Sequence, residues 1–148
     1  MRTARVVAAG VCGVTLGVLS AVPAQAGPYS TDFTSPSGNI NCAIWESGHD
    51  IAPHVRCDLK ERTFAPPPRP TDCAMGPWAK SVTLKRGEPA EFHCISDSVI
   101  SADAVVLEYG REINAEGFDC RSRADGITCT DATTGNGFRL ARDSYEFY

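Results

Sequence analysis

The chain has 148 residues, and its 14 Lys and Arg against 18 Asp and Glu give a formal net charge of −4 at pH 7. An acidic chain whose basic residues are not clustered along the sequence argues against binding to nucleic acid or to anionic membrane surfaces. The length suits one domain with a hydrophobic core of its own.

The first residues have the pattern of a secretory signal peptide. Arg2 and Arg5 precede an uncharged apolar stretch, and Pro23-Ala24-Gln25-Ala26 supplies the small-x-small pattern that signal peptidase reads. We therefore predict cleavage before Gly27 and export of the rest of the chain.

A signal peptide of residues 1–26 leaves residues 27–148 as a single secreted β domain. A retained membrane anchor is one alternative, but the apolar stretch 6–22 is short for a span and contains three glycines. Lipoprotein processing at Cys12 is another, and there Val11 stands where a small residue is required.

A turn sequence lies between two short apolar runs in the stretch Phe33–Cys42. Pro36 presets the backbone for a reversal, and Gly38 or Asn39 can adopt the positive φ that a tight turn requires. The stretch predicts a β-hairpin with a cysteine on its outgoing strand.

Six cysteines remain after cleavage: Cys42, Cys57, Cys73, Cys94, Cys120 and Cys129. An even number in an exported chain predicts three disulfides. The segments Asn41–Ile44 and His54–Leu59 alternate like neighbouring strands, and placing Cys42 opposite Cys57 puts Ile44 opposite Val55 on the same face. This register predicts a Cys42–Cys57 disulfide.

The other two disulfides follow from a second hairpin. Cys120 and Cys129 flank an Asp-Gly turn, and placing them opposite each other leaves Arg123–Gly126 as a four-residue loop. Cys73–Cys94 is then the remaining pair.

The rest of the chain alternates short β-type runs with turns, and no helix is predicted. Pro66–Pro70 is a stiff connection with polyproline II character, with a domain linker or a docking ligand as alternatives. Ala104–Gly110 is the most continuously apolar run and predicts a central strand. Further strands are predicted at Ser81–Lys85, Ala90–Cys94, Phe118–Cys120, Ile127–Thr130, Phe138–Ala141 and Tyr145–Tyr148. The pattern indicates an all-β fold, a small disulfide-stapled sandwich or barrel-like domain built from hairpins.

Several stretches together carry a family pattern. They include Phe33-x-Ser35-Pro36-Ser37-Gly38-Asn39-Ile40-x-Cys42, Val55-Arg56-Cys57-Asp58, Trp78, Val106-Leu107-x-Tyr109-Gly110, Gly126-Ile127-Thr128-Cys129 and Thr134-Gly135-x-Gly137-Phe138. With them the chain resembles a family of small secreted actinobacterial proteins of unknown function. The resemblance implies that residues 27–148 form one unit and assigns no catalytic or binding residue. Asn136 departs from a Gly-His-Gly-Phe turn.

The sequence predicts no catalytic residue, metal or cofactor. It has no Gly-x-Ser-x-Gly elbow, and its acidic residues do not single out a catalytic pair. His49, Asp50 and His54 could share a metal with Asp58, but no Cys-x-x-Cys spacing is present. His93 completes the three histidines, which we interpret as loop or strand residues.

Aromatic side chains provide the candidate binding surface. Trp45 and Trp78 each lie beside a loop that contains Gly or Pro, and we predict that they are partly exposed. The others, which we expect to lie mostly in the core, are Tyr109, Phe138, Tyr145, Phe147 and Tyr148.

These observations favour a secreted, monomeric, non-catalytic binding module that is not attached to the membrane after cleavage. Its expected partner is an extracellular protein or a cell-envelope component. The alternative is a small extracellular enzyme inhibitor or a hydrolase with an unrecognised site. An inhibitor would present a rigid exposed loop, whereas a hydrolase would need a concave site that holds acids with shifted pKa values.

Overall fold

A computed structural model describes residues 29–48, 51–73, 76–94 and 96–148. These residues form β-strands and turns without a helix, which confirms the predicted all-β class. The strands are β1 (Ser30–Thr34), β2 (Ile40–Trp45), β3 (His54–Leu59), β4 (Ser81–Lys85), β5 (Glu91–Phe92), β6 (Val105–Val106), β7 (Glu112–Ala115), β8 (Phe118–Arg123), β9 (Gly126–Asp131), β10 (Gly137–Leu140) and β11 (Tyr145–Phe147). Over this part of the chain no helix is long and apolar enough to cross a membrane. The predicted signal peptide and its cleavage site lie outside the described residues.

The strands form two sheets that follow one another along the chain. Sheet 1 has the order β5-β4-β3-β2-β1-β6, and sheet 2 is a meander with the order β11-β10-β9-β8-β7. Neighbouring strands pair antiparallel except β1 and β6, which are parallel. The chain crosses from the β5 edge to the β1 edge of sheet 1 before it forms β6.

The inward faces of both sheets contribute to one hydrophobic core. Each sheet places a row of directly paired residues across its inner face. The rows are Phe33, Cys42, Cys57, Val82 and Phe92 in sheet 1, and Ile113, Cys120, Cys129, Phe138 and Phe147 in sheet 2. All ten belong to one cluster or pack against it, so the two sheets form a sandwich.

The disulfides join the predicted pairs. Cys42–Cys57 and Cys120–Cys129 each connect two neighbouring strands, with a Cα–Cα distance of 4.1 Å, and all four residues are buried. Ile44 lies opposite Val55, as the predicted register requires. Each sheet therefore carries its own buried staple, while the third disulfide ties the segment before β4 to the segment after β5.

The prediction of a central strand at Ala104–Gly110 is wrong. Only Val105 and Val106 are in a strand, and β6 is the edge of sheet 1, where these side chains are 65% and 48% exposed. Leu107 alone of this strand region reaches the core, and Gly110 turns the chain with a φ of 85° as it passes to sheet 2. A short apolar run does not distinguish a central strand from a crossing segment at an edge.

Two hairpins of sheet 2 differ from the prediction: one has a shorter loop, and the other was not predicted. The pairing of β8 with β9 continues to Arg123 and Gly126, so the loop has two residues, Ala124 and Asp125, and not four. β7 was not predicted, and it joins β8 through Glu116 and Gly117, whose φ angles are 50° and 78°. Positive φ at both residues is typical of a two-residue hairpin turn, but Glu at the first position gives no sequence signal for it.

Candidate binding groove

Turns from both sheets meet at one end of the sandwich and surround a groove of about 1070 Å³. β1, β3, β8 and β10 all run toward this end. The walls of the groove are therefore made by the turns or loops that follow these strands, with Tyr109 beside them. Most lining residues come from the segments 35–40, 60–63, 123–126 and 139–144, without Pro36, Arg62 and Leu140.

The turn after β1 is held by its own serines. Ser35 is buried, its hydroxyl accepts the backbone N–H of Ile40 at 3.1 Å, and its carbonyl accepts the N–H of Gly38 at 2.8 Å. Gly38 takes the positive φ of 69°, one of the two positions predicted for it. The turn is thus fixed without contacts from a ligand.

Asn39 fixes this turn to the segment after β3. Its side-chain nitrogen donates to the carbonyl of Glu61 at 3.0 Å, and its side-chain oxygen accepts the N–H of the same residue at 2.9 Å. Two reciprocal hydrogen bonds hold two loops in register, so this wall of the groove is preorganised.

The opposite wall is held by Arg139 of β10. Its guanidinium donates to the carbonyl of Asp125 at 3.0 Å and to the hydroxyl of Ser144 at 3.3 Å. Gly126 has a φ of 129°, and a Cβ there would collide with the carbonyl oxygen of Leu140. Only glycine lets the β8–β9 turn approach β10 this closely.

The groove brings together cations that are far apart in sequence. Four basic residues line it, against the carboxylates of Glu61, Asp125 and Asp143. Arg142 lies 3.7 Å from Glu61, whereas Lys60 and Arg123 make no side-chain hydrogen bond or ion pair within the described chain. Tyr109 presents a ring that is 50% exposed.

Asp58 and Asp97 both pair with Arg56 on the outer face of sheet 1, where Arg56 and Asp58 are buried and Asp97 is exposed. Arg56 donates to both carboxylate oxygens of Asp58 at 2.9 Å, to the Ser81 hydroxyl at 3.0 Å and to the Asp97 carboxylate at 2.9 Å. Burial acts to lower the pKa of Arg56, but its hydrogen bonds to these carboxylates and their charges raise it. The guanidinium in turn lowers the pKa of Asp97. These contacts hold the segment after β5 against the sheet. They also occupy the carboxylates of Asp58 and Asp97 within the protein.

Asp131 is a second buried acid with a structural role. Its carboxylate accepts the N–H of Gly87 at 2.7 Å and the N–H of Thr133 at 2.9 Å, and it also accepts the hydroxyl of Thr133. Burial would raise the pKa of Asp131, but these hydrogen bonds lower it from 3.8 to about 2. Because Gly87 follows β4 and Asp131 ends β9, the carboxylate connects the two sheets.

The two tryptophans have different surroundings, and both are half-buried. Trp45 stacks on His54 with a centroid distance of 4.7 Å, at the end of sheet 1 away from the groove. Trp78 donates its ring N–H to the carbonyl of Pro67 at 2.9 Å and packs edge-on against Phe92 at 5.9 Å. That Trp45 and Trp78 belong to a binding surface stays a prediction.

The histidines and the suggested metal ligands do not come together where they are described. His49 and Asp50 lie outside the described residues, His54 contacts the carbonyl of Ala52 at 3.1 Å, and His93 is exposed. Asp58 is engaged by Arg56. Within the described ranges, no three His, Cys, Asp or Glu side chains are grouped closely enough to hold a metal ion.

The fold and the groove define a disulfide-stapled β-sandwich with a polar groove at one end. A model described as a family of unknown function (DUF6636) matches residues 14–148, so the chain belongs to that family. No curated protein and no solved structure matches the chain.

Sequence reasoning missed the groove and its cations. The signal that could have found them is position: Lys60 follows β3, Arg123 precedes the β8–β9 turn, and Arg142 lies in the β10–β11 turn. Each basic residue stands alone in sequence, and only the topology places the three strand ends side by side.

Proposed function

We propose that the chain is a secreted, non-catalytic binding module that holds its ligand in the groove. The observation that carries the proposal is the groove itself, where preorganised turns of both sheets surround the exposed Tyr109. Lys60 and Arg123 also line it, and neither makes an ion pair with another described residue. Ligand sites are concave and present a few fixed polar groups that orient the ligand, and the groove has both features.

Export is part of the proposal. The N-terminal pattern of residues 1–26 is that of a signal peptide, and the resemblance to small actinobacterial proteins implies release from the cell. Three disulfides in a domain of this size are typical of oxidising, extracellular compartments. The expected partners are therefore components of the cell envelope or other extracellular molecules.

The chemistry of the groove favours binding over catalysis. Its described lining contains neither histidine nor cysteine, and its acids are exposed side chains on loops. The groups with clearly shifted pKa values, Arg56, Asp97 and Asp131, lie outside the groove and make hydrogen bonds within the protein. A hydrolase would place such groups in the concave site.

Capture from native material tests the proposal. The protein would be immobilised and exposed to the culture fluid and envelope extract of the producing cells, and bound material identified by mass spectrometry. We expect capture to be lost in the double variant Tyr109→Ala/Arg123→Gln. It should be retained in Lys85→Gln, because Lys85 pairs with His54 at the end of sheet 1 away from the groove.

The outcomes separate the candidate functions. Capture that survives the groove variant but is lost in Trp45→Ala or Trp78→Ala would contradict the groove and favour the tryptophan surface. Turnover of the captured molecule would replace the module with a hydrolase, and loss of a captured enzyme's activity would replace it with an inhibitor.

A further inference from the structure

Arg123 stands where three depressions of the surface meet. The groove is one of them, a second of about 450 Å³ lies over Gly110 to Glu112, and a third of about 440 Å³ lies over the outer face of sheet 2. Arg123 lines all three, and Asp125 and Arg139 line both the first and the third. One polar surface therefore runs from the turns over the outer side of sheet 2, long enough for an extended ligand.

Six cations and five carboxylates line this surface, and three of the cations keep their side-chain donors free in the described part of the chain. Lys60, Arg111 and Arg123 make no side-chain hydrogen bond or ion pair in the described part of the chain. The other lining cations are engaged: Arg121 lies 2.6 Å from Glu112, Arg142 lies 3.7 Å from Glu61 and Arg139 lies 3.9 Å from Glu146. Among the lining carboxylates, Asp119 and Asp143 accept hydrogen bonds from the neutral side chains of Asn114 and Ser144, and the Asp125 carboxylate accepts none within the described residues. A chain that is acidic overall thus presents a surface with one more cation than carboxylates, where three cations can donate hydrogen bonds to a ligand.

The remaining lining groups suit sugars. Hydroxyls of Ser37, Thr63, Thr128 and Thr130 are spread along the surface, and the ring of Tyr109 is the single aromatic in the groove. A peptide ligand is usually anchored by aromatic or aliphatic side chains in apolar pockets, whereas the described lining here consists mainly of polar and charged residues. A nucleic acid is an unsuitable ligand, because its binding requires many more cations than this surface has. Such binding is also typical of basic chains, whereas this chain is acidic.

We infer that the surface binds an acidic glycan, a polysaccharide whose sugars carry carboxylate or phosphate groups. This inference rests on the proposed function, because it assigns a ligand class to the same groove. Arg123 and Lys60 contact the anionic groups and Tyr109 packs against a sugar ring. The planar guanidinium of Arg123 matches a carboxylate or a phosphate with two parallel hydrogen bonds.

Isothermal titration calorimetry with four probes tests the inference. The probes are an oligogalacturonate with carboxylates, a phosphomannan fragment with phosphates, a neutral dextran oligomer and a polyglutamate peptide. We expect one or both acidic glycans to bind, more weakly as salt rises, because charges on an exposed surface are screened beyond about 10 Å at 0.1 M salt. The two acidic arms show which anionic group is preferred.

Charge variants of opposite sign provide the sharper test. Arg123→Gln should weaken binding of the acidic glycan about tenfold, the loss expected for one hydrogen-bonded charge. Asp125→Asn should strengthen it about two- to fivefold, since it removes the unpaired carboxylate beside the anion. Lys85→Gln changes the net charge by the same amount as Arg123→Gln, but at a position far from the groove, and should have no effect on binding. Unchanged thermal unfolding of each variant confirms that the fold is intact.

Each of the other possible results refutes one component of the inference: the acidic ligand, the glycan or the site. Binding only of the dextran oligomer, lost in Tyr109→Ala and insensitive to Arg123→Gln, would keep the groove and refute the acidic ligand. Equal binding of polyglutamate would refute the glycan, as would binding of none of the four probes. If the acidic glycans bind Lys60→Gln and Arg123→Gln as tightly as they bind the wild type, the site is refuted. The capture experiment still decides the proposed function in each case.

Discussion

Arg56 and Asp58 stand two residues apart on the outer face of β3 and pair through two hydrogen bonds of 2.9 Å each. Both are buried, although each belongs to a residue type that is usually exposed. The pair is covered by the segment after β5, where Asp97 accepts from Arg56 and the N–H of Val99 donates to Asp58 at 3.0 Å. Charge on one sheet face thereby holds the loop that follows β5.

Removing Arg56 should be strongly destabilising. Arg56→Met leaves the carboxylate of Asp58 buried without its partner, and we expect the free energy of unfolding to fall by about 3–5 kcal/mol. Urea denaturation measures it. Asp97→Asn is the control, because the Asp97 side chain is 77% exposed and an exposed pair contributes at most about 1 kcal/mol. Equal losses in the two variants would show that burial of the pair is unimportant.

Asp131 should make the free energy of unfolding depend on pH in the acidic range. Its pKa is about 2 in the folded chain against 3.8 for an ordinary Asp, so the unfolded state binds more protons between these values. The stabilisation is complete above pH 4 or so and is lost as the pH falls toward about 2, and it amounts to about 2 kcal/mol. Unfolding of wild type and Asp131→Asn from pH 7 to pH 2 measures it. The stability difference between them should shrink on acidification, and a constant difference would contradict the role.

The disulfide Cys73–Cys94 should be reduced first under native conditions. Cys94 is half-buried, whereas the four cysteines of the other two disulfides are fully buried in the core. A reductant needs access to a sulfur, so the buried bonds should open only when a sheet unfolds. Partial reduction, alkylation and peptide mapping give the order. Early opening of Cys120–Cys129 would show that sheet 2 unfolds locally.

Phe92 should contribute more to stability than Trp45. Its ring lies within 4.7–6.2 Å of the rings of Tyr145, Phe147, Trp78 and Phe64, so it joins the edges of both sheets and the proline-rich loop. We expect Phe92→Ala to cost about 3 kcal/mol, as for other large-to-small changes at packed aromatic residues. Trp45→Ala removes one stacking contact, with His54, and should cost about 1 kcal/mol. Chemical denaturation compares them, and a larger loss for Trp45 would contradict this packing.

Local pattern predicted the hairpins well. Cys42, Ile44, Val55 and Cys57 specify one register, because a slip of one residue would turn all four away from the core. The same reasoning paired Cys120 with Cys129. The edge position of Val105 and Val106 could not be predicted, since it depends on which strand edge remains open after the rest of sheet 1 has formed.

The groove was beyond local reasoning for a related reason. Lys60, Arg123 and Arg142 are ordinary exposed cations when the sequence is taken segment by segment, and the chain as a whole is acidic. They become a site only because β3, β8 and β10 end at the same side of the sandwich. Strand order between two sheets is a property of the whole chain, which no motif in it carries.

Hydroxyl-radical footprinting tests the binding groove most directly. The purified protein would be labelled alone and with a dialysed envelope extract of the producing cells, and oxidation of each tyrosine measured by mass spectrometry. Tyr109 lies in the groove and is 50% exposed, while Tyr29, which precedes β1 at the other end of the sandwich, is 79% exposed. We expect the extract to protect Tyr109 and to leave Tyr29 unchanged. Unchanged labelling of Tyr109 while the extract protects Tyr29 or Trp45 would contradict the groove as the binding site.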